Sequence, residues 1–248
     1  MRPLVAEFFG TMVLLLMGEG VDAMTTLFGK GAPGEIVNGG YTNIALAWGI
    51  GVTLGIYTAN KYSGAHLNPA VTLSLAVFKG FSWRRVLPYM IAQFLGAFTA
   101  AALVYWNYRP AFLAFDPGLE KTAGIFSTFP AFPAAPAAGL FDQILGTAIL
   151  MFVILAIGEG VEGDKTNLAP IMIGLLVVGI GMAFGGMHGY AINPARDFGP
   201  RVFTVLAGFK NNGLTDGSMV FWVPIVGPLV GGLVGTAAHE YGLKRLKG

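Results

Sequence analysis

The chain matches itself. Displaced by 136 residues, Gly10-Thr11 falls on Gly146-Thr147, Pro88 on Pro224, Gly96 on Gly232, Ala101-Ala102 on Ala237-Ala238 and Tyr105 on Tyr241. Displaced by 125, Gly49 falls on Gly174, Gly64 on Gly189, Asn68-Pro69-Ala70 on Asn193-Pro194-Ala195 and Val77-Phe78 on Val202-Phe203. The change of offset places a difference in length within a loop and leaves the two halves otherwise alike. Each half carries three long apolar stretches. A chain that crosses a bilayer an odd number of times emerges on the far side, so the second copy must enter the membrane inverted relative to the first.

The crossings are set by length. A span needs about 20 mainly apolar residues, and the windows 4–21, 41–59, 86–106, 141–158, 168–186 and 220–239 approximate that. The first window follows a start resembling a signal peptide, but no small-residue cleavage site follows its apolar run, so it is read as span 1. Composition agrees: 54% of residues are hydrophobic and 11% charged, with a mean hydropathy of +0.66, whereas a soluble domain carries about 25% charged residues. The repeats are expected at about 4–106 and 141–241, within a single channel domain. An extramembrane loop, 107–140, rich in Pro, Phe and Ala, joins them and is expected to pack over one mouth.

Two apolar pieces, Ala70–Phe78 and Phe198–Leu206, are too short to cross, and both follow an Asn-Pro. Asn caps a helix with its side-chain oxygen, and Pro at the next position loses no helical hydrogen bond. Each Asn-Pro therefore starts a half-helix inside the membrane. The extended residues before it would leave backbone groups unpaired in hydrocarbon, which is tolerated only where they line a water-filled cavity or are buried in protein. The carbonyls of Gly64, Ala65 and His66, and of Gly189, Tyr190 and Ala191, are thus candidate pore-lining groups. Inversion brings the electropositive tips of the half-helices together near the midplane. Each Asn is expected to point its NH2 into the lumen as a donor. The fold class expected is all-α: six transmembrane helices plus two re-entrant half-helices.

Loop charge orients the chain. Arg2, Lys61, Lys79, Arg84, Arg85, Lys165, Lys244, Arg245 and Lys247 fall on the side of both termini, against Lys30, Arg109, Lys121, Arg201 and Lys210 opposite. Both termini should face the cytoplasm. The net charge of +2 forms no basic run, so nucleic acid is not an expected partner. There is no cysteine. His66, His188 and His239 are dispersed without an adjacent cluster of ligands, so neither a metal nor a cofactor is expected. A membrane enzyme would need a nucleophile, base and metal constellation that is not apparent. A coupled secondary transporter would need ionisable groups within its spans, which offer few candidates beyond Glu7 and the end-of-span acids Glu19, Asp22 and Glu159.

With SGAHLNPAVT in one half and GYAINPARDFGPRVF in the other, the chain resembles the major intrinsic proteins, or aquaporins, over nearly its whole length. Asp197, directly after Asn-Pro-Ala-Arg, makes it most similar to the bacterial glycerol facilitators, the aquaglyceroporins. The resemblance implies an outer selectivity constriction of Trp48, Gly181, Tyr190 and Arg196, with Gly181 where water-selective members place a His. Trp48 and Tyr190 would form an apolar wedge, and Arg196 would bind hydroxyls and repel cations. Arg196 needs charge compensation, and Asp197 beside it is one candidate. Glu7 matches a buried glutamate that braces a pore loop; its counterpart on span 4 is Gln143, which carries no charge. Tyr190 stands where many glycerol channels have Phe. The implied function is passive conduction of glycerol and other small neutral solutes with some water, urea, lactic acid and dihydroxyacetone among the candidates, across a cell membrane and in homotetramers. A water-selective pore and a secondary transporter are the alternatives.

Overall fold

The computed structural model describes residues 1–29, 39–160 and 166–247. The elements are α1 (Arg2–Leu27), α2 (Gly40–Ser63), α3 (Pro69–Phe78), α4 (Trp83–Phe115), α5 (Pro136–Gly160), α6 (Ala169–His188), α7 (Pro194–Ala207) and α8 (Val223–Tyr241). Among the described residues all regular structure is helical. Six of these helices are long and apolar enough to cross a membrane, which leaves α3 and α7 as the short ones.

The packing is arranged in matching pairs. α1 packs on α2 as α5 does on α6, α1 on α4 as α5 on α8, and α3 on α8 as α7 on α4. The contact between α2 and α6 has no counterpart because it joins equivalent helices. At that crossing Gly49 meets Gly174: a Cβ on either would lie 2.5–2.6 Å from the carbonyl oxygen of the other. The residues paired by the sequence repeat are thus the ones that touch, and only glycine permits so close an approach of backbones.

Outward faces are apolar. Leu87, Leu103, Leu175 and Val234 are among many large hydrophobic side chains left exposed on the spans, a surface suited to lipid tails. Trp83 and Trp106, near the two ends of the spanning part of α4, are exposed at 62% and 69%, as expected of interfacial aromatics.

The connection between the halves is shorter than the sequence suggests. α4 runs through Pro110 to Phe115 and α5 begins at Pro136, so much of the expected loop 107–140 is helical. A proline inside a helix removes one backbone hydrogen bond. The extension is offset by packing: Phe112 is fully buried, with its ring 5.8 Å from Phe126 and 5.2 Å from Tyr105. Asp116 ends α4, and its carboxylate accepts from the amides of Glu120, Lys121 and Thr122 and from the Thr122 hydroxyl. Burial works against that carboxylate, but these hydrogen bonds outweigh it and hold its pKa below the ordinary value.

One correction concerns the charges used for orientation. Lys30 and Lys165 lie outside the described residues. Arg201 is not a loop cation: it is fully buried in α7, its Nε 2.8 Å from Asp197 Oδ1. Lys79, at the end of α3, pairs with Glu240 of α8, and so does Lys244, which puts these lysines at one end of the bundle.

Candidate functional site: two facing loops and an outer constriction

The two segments that precede the half-helices share one backbone pattern. Gly64, Ala65 and Leu67 have φ of 85°, 49° and 52°, and Gly189, Tyr190 and Ile192 have φ of 68°, 37° and 44°. A non-glycine residue in this left-handed region costs of order 1–2 kcal/mol, so each loop must be held from outside. Glu7 holds the first. Its carboxylate accepts from the His66 and Leu67 amides at 2.9 and 2.7 Å, from the Ser63 hydroxyl at 2.6 Å and from Gln93 Nε2 at 2.7 Å. Gln143 contacts the second: its Oε1 accepts from the Ile192 amide at 2.9 Å, and its Nε2 donates to the His188 carbonyl at 3.1 Å. The uncharged Gln143 therefore makes bonds with its neutral amide on both sides of the second loop.

Replacing Glu7 with Gln presents an NH2 to donors that have no use for it, leaving at least one buried amide or hydroxyl unpaired at a cost of about 2–3 kcal/mol. Glu7→Gln is expected to lower the thermal unfolding midpoint in detergent and to reduce solute flux, whereas Gln143→Glu, which keeps the acceptor for Ile192 and loses only the donor to His188, is expected to be the milder change.

Both Asn residues cap as expected. Asn68 Oδ1 accepts from the Ala70 amide at 2.8 Å, and Asn193 Oδ1 from the amides of Ala195 and Arg196 at 3.0 and 3.2 Å. Pro69 and Pro194 open the two half-helices, with Ala70 and Ala195 buried behind them. The NH2 groups are placed differently from the sequence expectation. Asn68 Nδ2 donates to the Ile192 carbonyl and Asn193 Nδ2 to the Leu67 carbonyl, both at 2.8 Å. Each amide thus commits one hydrogen across the midplane to the opposite loop and retains one for the lumen. These reciprocal bonds tie the two loops together.

A cavity of about 220 Å³ runs past the loops. It is lined by aliphatic side chains, among them Leu14, Ile56, Leu150 and Val177 from α1, α2, α5 and α6, and by residues of the two loops and half-helix starts, Gly64, Ala65, His66, Asn68, Tyr190, Ala191, Asn193 and Arg196. Beside Tyr190, a Cβ on Gly189 would lie 3.0 Å from Thr128 Cγ2. His66 Nδ1 lies 3.1 Å from the Thr72 hydroxyl, and its ring packs on Phe81 and Tyr89. His188 is buried between spans, its ring against Gly139.

The structure brings Trp48 against Arg196, and Gly181 against Tyr190. The Arg196 guanidinium carbon lies 4.1 Å from the centre of the Trp48 ring, and its Nη1 donates to the Phe126 carbonyl at 3.3 Å. Trp48, Tyr190 and Arg196 line the cavity. Gly181 stands behind Tyr190, where an added Cβ would lie 2.8 Å from the ring's Cζ. The Tyr190 hydroxyl is buried with no protein partner. Asp197 does not pair with Arg196. Its carboxylate is held by Arg201 and by the amide and hydroxyl of Thr128 at 2.7 and 2.8 Å.

Several contributors were not read from the sequence. Tyr41 donates to the Gly181 carbonyl at 3.1 Å, and its ring packs edge-on against Tyr190. Thr128 and Phe126 come from the connection between the halves, where composition carries no positional signal. Arg201 had one: it follows Asp197 by four residues, the spacing of a helical ion pair. His239, read as having no neighbouring ligand cluster, lies beside Glu159 and Glu240 with ligand atoms all within 4.8 Å of one another. Glu240 is already engaged there by two lysines.

The fold and the sequence have counterparts among known proteins. The chain is 31% identical to the X-ray structure of the aquaglyceroporin from Plasmodium falciparum, with a TM-score of 0.86 over 99% of this chain and 97% of that one. It is 44% identical to "Aquaglyceroporin-2" of Rhizophagus irregularis, covering 95% of this chain and 75% of the relative. It is 41% identical to the "Glycerol uptake facilitator protein" of Escherichia coli K12, over 95% and 86% of the respective chains. With the "Probable glycerol uptake facilitator protein" of Thermotoga maritima it shares 41% identity over 96% and 97%. Residues 1–239 match the family model for the major intrinsic protein, so the chain, from its first span to its last, belongs to the major intrinsic protein family.

Proposed function

We propose that the chain is a passive, bidirectional channel for glycerol and similarly small uncharged solutes, with some water, and that it excludes ions and protons. It is a channel and not an enzyme. The carrying observation is a cavity lined both by aliphatic side chains and by the two polar loops, with Trp48, Tyr190 and Arg196 among its lining residues. A polyol presents hydroxyls on one edge and CH groups on the other, and such a lumen replaces its hydration on one side without demanding polar contacts on the other. Relatives named as aquaglyceroporins and glycerol uptake facilitators support the same solute class.

Selectivity against charge follows from three sources. The half-helices point their positive ends at the midplane, Arg196 adds a full positive charge at the constriction, and the path is narrow, the features by which aquaporin-type pores in general exclude cations and protons. The wedge of Trp48 and Tyr190, the lumen-facing hydrogens of Asn68 and Asn193 and the carbonyls of Gly64, Ala65, His66, Tyr190 and Ala191 are the proposed contacts of the solute. Glu7, Gln143 and Asp197 support them. We place the channel in the cell membrane with both termini cytoplasmic, as a single domain of two inverted halves and as a homotetramer with a pore in each subunit. Urea, lactic acid and dihydroxyacetone are further candidate solutes of similar size.

Proteoliposomes shrunk in hyperosmotic glycerol test this. Rapid reswelling, with flux nearly linear in concentration and indifferent to pH or sodium gradients, is expected. Accumulation against a gradient would demand a coupled transporter, and water flux without glycerol flux a water-selective pore.

A further inference from the structure

Trp48 rests on α1. A Cβ at Gly18 would lie 2.4–2.5 Å from three atoms of the indole, so the ring is seated directly on bare helix backbone. One turn further along α1, Asp22 accepts from Trp48 Nε1, at 3.2 Å through Oδ2 and 3.4 Å through Oδ1. The guanidinium of Arg196 stacks on the same ring. Among the described residues, the Arg196 side chain donates one hydrogen bond, to the Phe126 carbonyl. The nearest carboxylate in sequence, Asp197, is engaged by Arg201 and Thr128.

From this arrangement we propose that Asp22 is a specificity-determining positioning residue: it fixes the rotation of the Trp48 indole through its N–H, and the fixed ring seats the Arg196 guanidinium stacked on it. A Trp side chain rotates as a rigid plate, so loss of its one polar tether lets the plate swing into or away from the path. Arg196, stacked on the same plate, loses its seat when the plate moves. A solute that needs the wedge for its CH groups loses more than one, such as water, that needs only a donor. The proposal rests on the reading of Trp48 and Arg196 as the selectivity constriction.

Two measurements decide it. In proteoliposomes, Asp22→Ala is expected to lower glycerol permeability by about tenfold relative to water permeability, the size of effect that one lost buried hydrogen bond produces. Asp22→Asn, which retains an acceptor for the indole, is expected to recover most of the loss. In a Trp48→Phe background, where no indole N–H exists, Asp22→Ala should change the glycerol-to-water ratio by less than about twofold. Where Asp22→Ala does not fold, Asp22→Leu, of similar volume and without a polar group, is read in its place.

The second measurement is independent of flux. Trp83, Trp106 and Trp222 are exposed and can be replaced by Phe to leave Trp48 as the single indole. Its N–H is expected to exchange with solvent at least about tenfold faster in Asp22→Ala than in Asp22→Asn or the parent. Equal losses of glycerol and water permeability, an undiminished effect in the Trp48→Phe background, or an unchanged exchange rate overturns the proposal. Absence of glycerol flux in the parent protein would sink the proposed function alone, since the exchange rate still reports the tether.

Discussion

Gly181→His is expected to reduce glycerol permeability by about a hundredfold, a rise in barrier of about 2.7 kcal/mol, while water permeability falls only a few-fold. The cause is steric and begins at the first carbon. A Cβ at 181 would lie 2.8, 2.9 and 3.2 Å from Cζ, Cε2 and the hydroxyl oxygen of Tyr190, closer than packed carbons normally come. Tyr190 cannot simply retreat, because Tyr41 packs against its ring. The ring must move toward the lumen, and an imidazole then fills part of what remains. Gly181→Ala gives the graded case: the Cβ alone displaces Tyr190 by tenths of an ångström, and a loss near tenfold is expected. Adding Trp48→Phe to Gly181→His, so as to restore some width, should leave glycerol flux far more suppressed than water flux. The check is stopped-flow reswelling in glycerol beside osmotic water shrinkage on the same vesicles. Equal loss of both would mean that residue 181 does not stand at the constriction.

The half-helices were legible because Asn-Pro writes its own local chemistry. The cap and the missing N–H are properties of adjacent residues, and the following apolar run measures the helix length. The repeat was legible for a similar reason, since inversion follows from an odd number of spans. What the sequence could not display were contacts made across the inversion. Asn68 and Ile192 are 124 residues apart and Asn193 and Leu67 126, and no spacing rule connects them. The donor hydrogens of both Asn residues were therefore assigned wholly to the lumen, when half of them close the two loops on each other. The end of α4 was misjudged for a different reason. Pro110 marks a helix end by local propensity, yet Phe112 and the aromatic cluster beneath it reward continuation. Tertiary packing outweighed a local preference worth about 3 kcal/mol. Asp22 looked like an end-of-span acid because its partner, the Trp48 indole, lies on another helix.

Asp197→Ala is expected to be the most damaging single change away from the lumen. Asp197 and Arg201 are both fully buried, one turn apart on α7. Arg201 also donates to the Asn212 carbonyl at 2.8 Å and the Thr128 carbonyl at 2.7 Å, so the pair fastens the half-helix to the segment that follows it and to the connection between the halves. Thr128 in turn returns two hydrogen bonds to Asp197, and two residues away Phe126 presents its carbonyl to Arg196. Removing the carboxylate leaves an uncompensated guanidinium in the interior, for which about 3–5 kcal/mol is the usual cost, and frees Thr128 as well. That is enough to abolish folded protein in detergent, or to leave a pore with neither glycerol nor water flux. The charge is the damaging element, because a buried pair replaced on both sides by apolar groups of similar volume is often tolerated. Asp197→Leu combined with Arg201→Met should therefore unfold at a higher temperature than Asp197→Ala alone, although it lacks more of the native hydrogen bonds. Scanning thermal unfolding of the purified variants measures the difference. If the double variant were no more stable than the single one, the pair would be held by its geometry and not by the need to balance a buried charge.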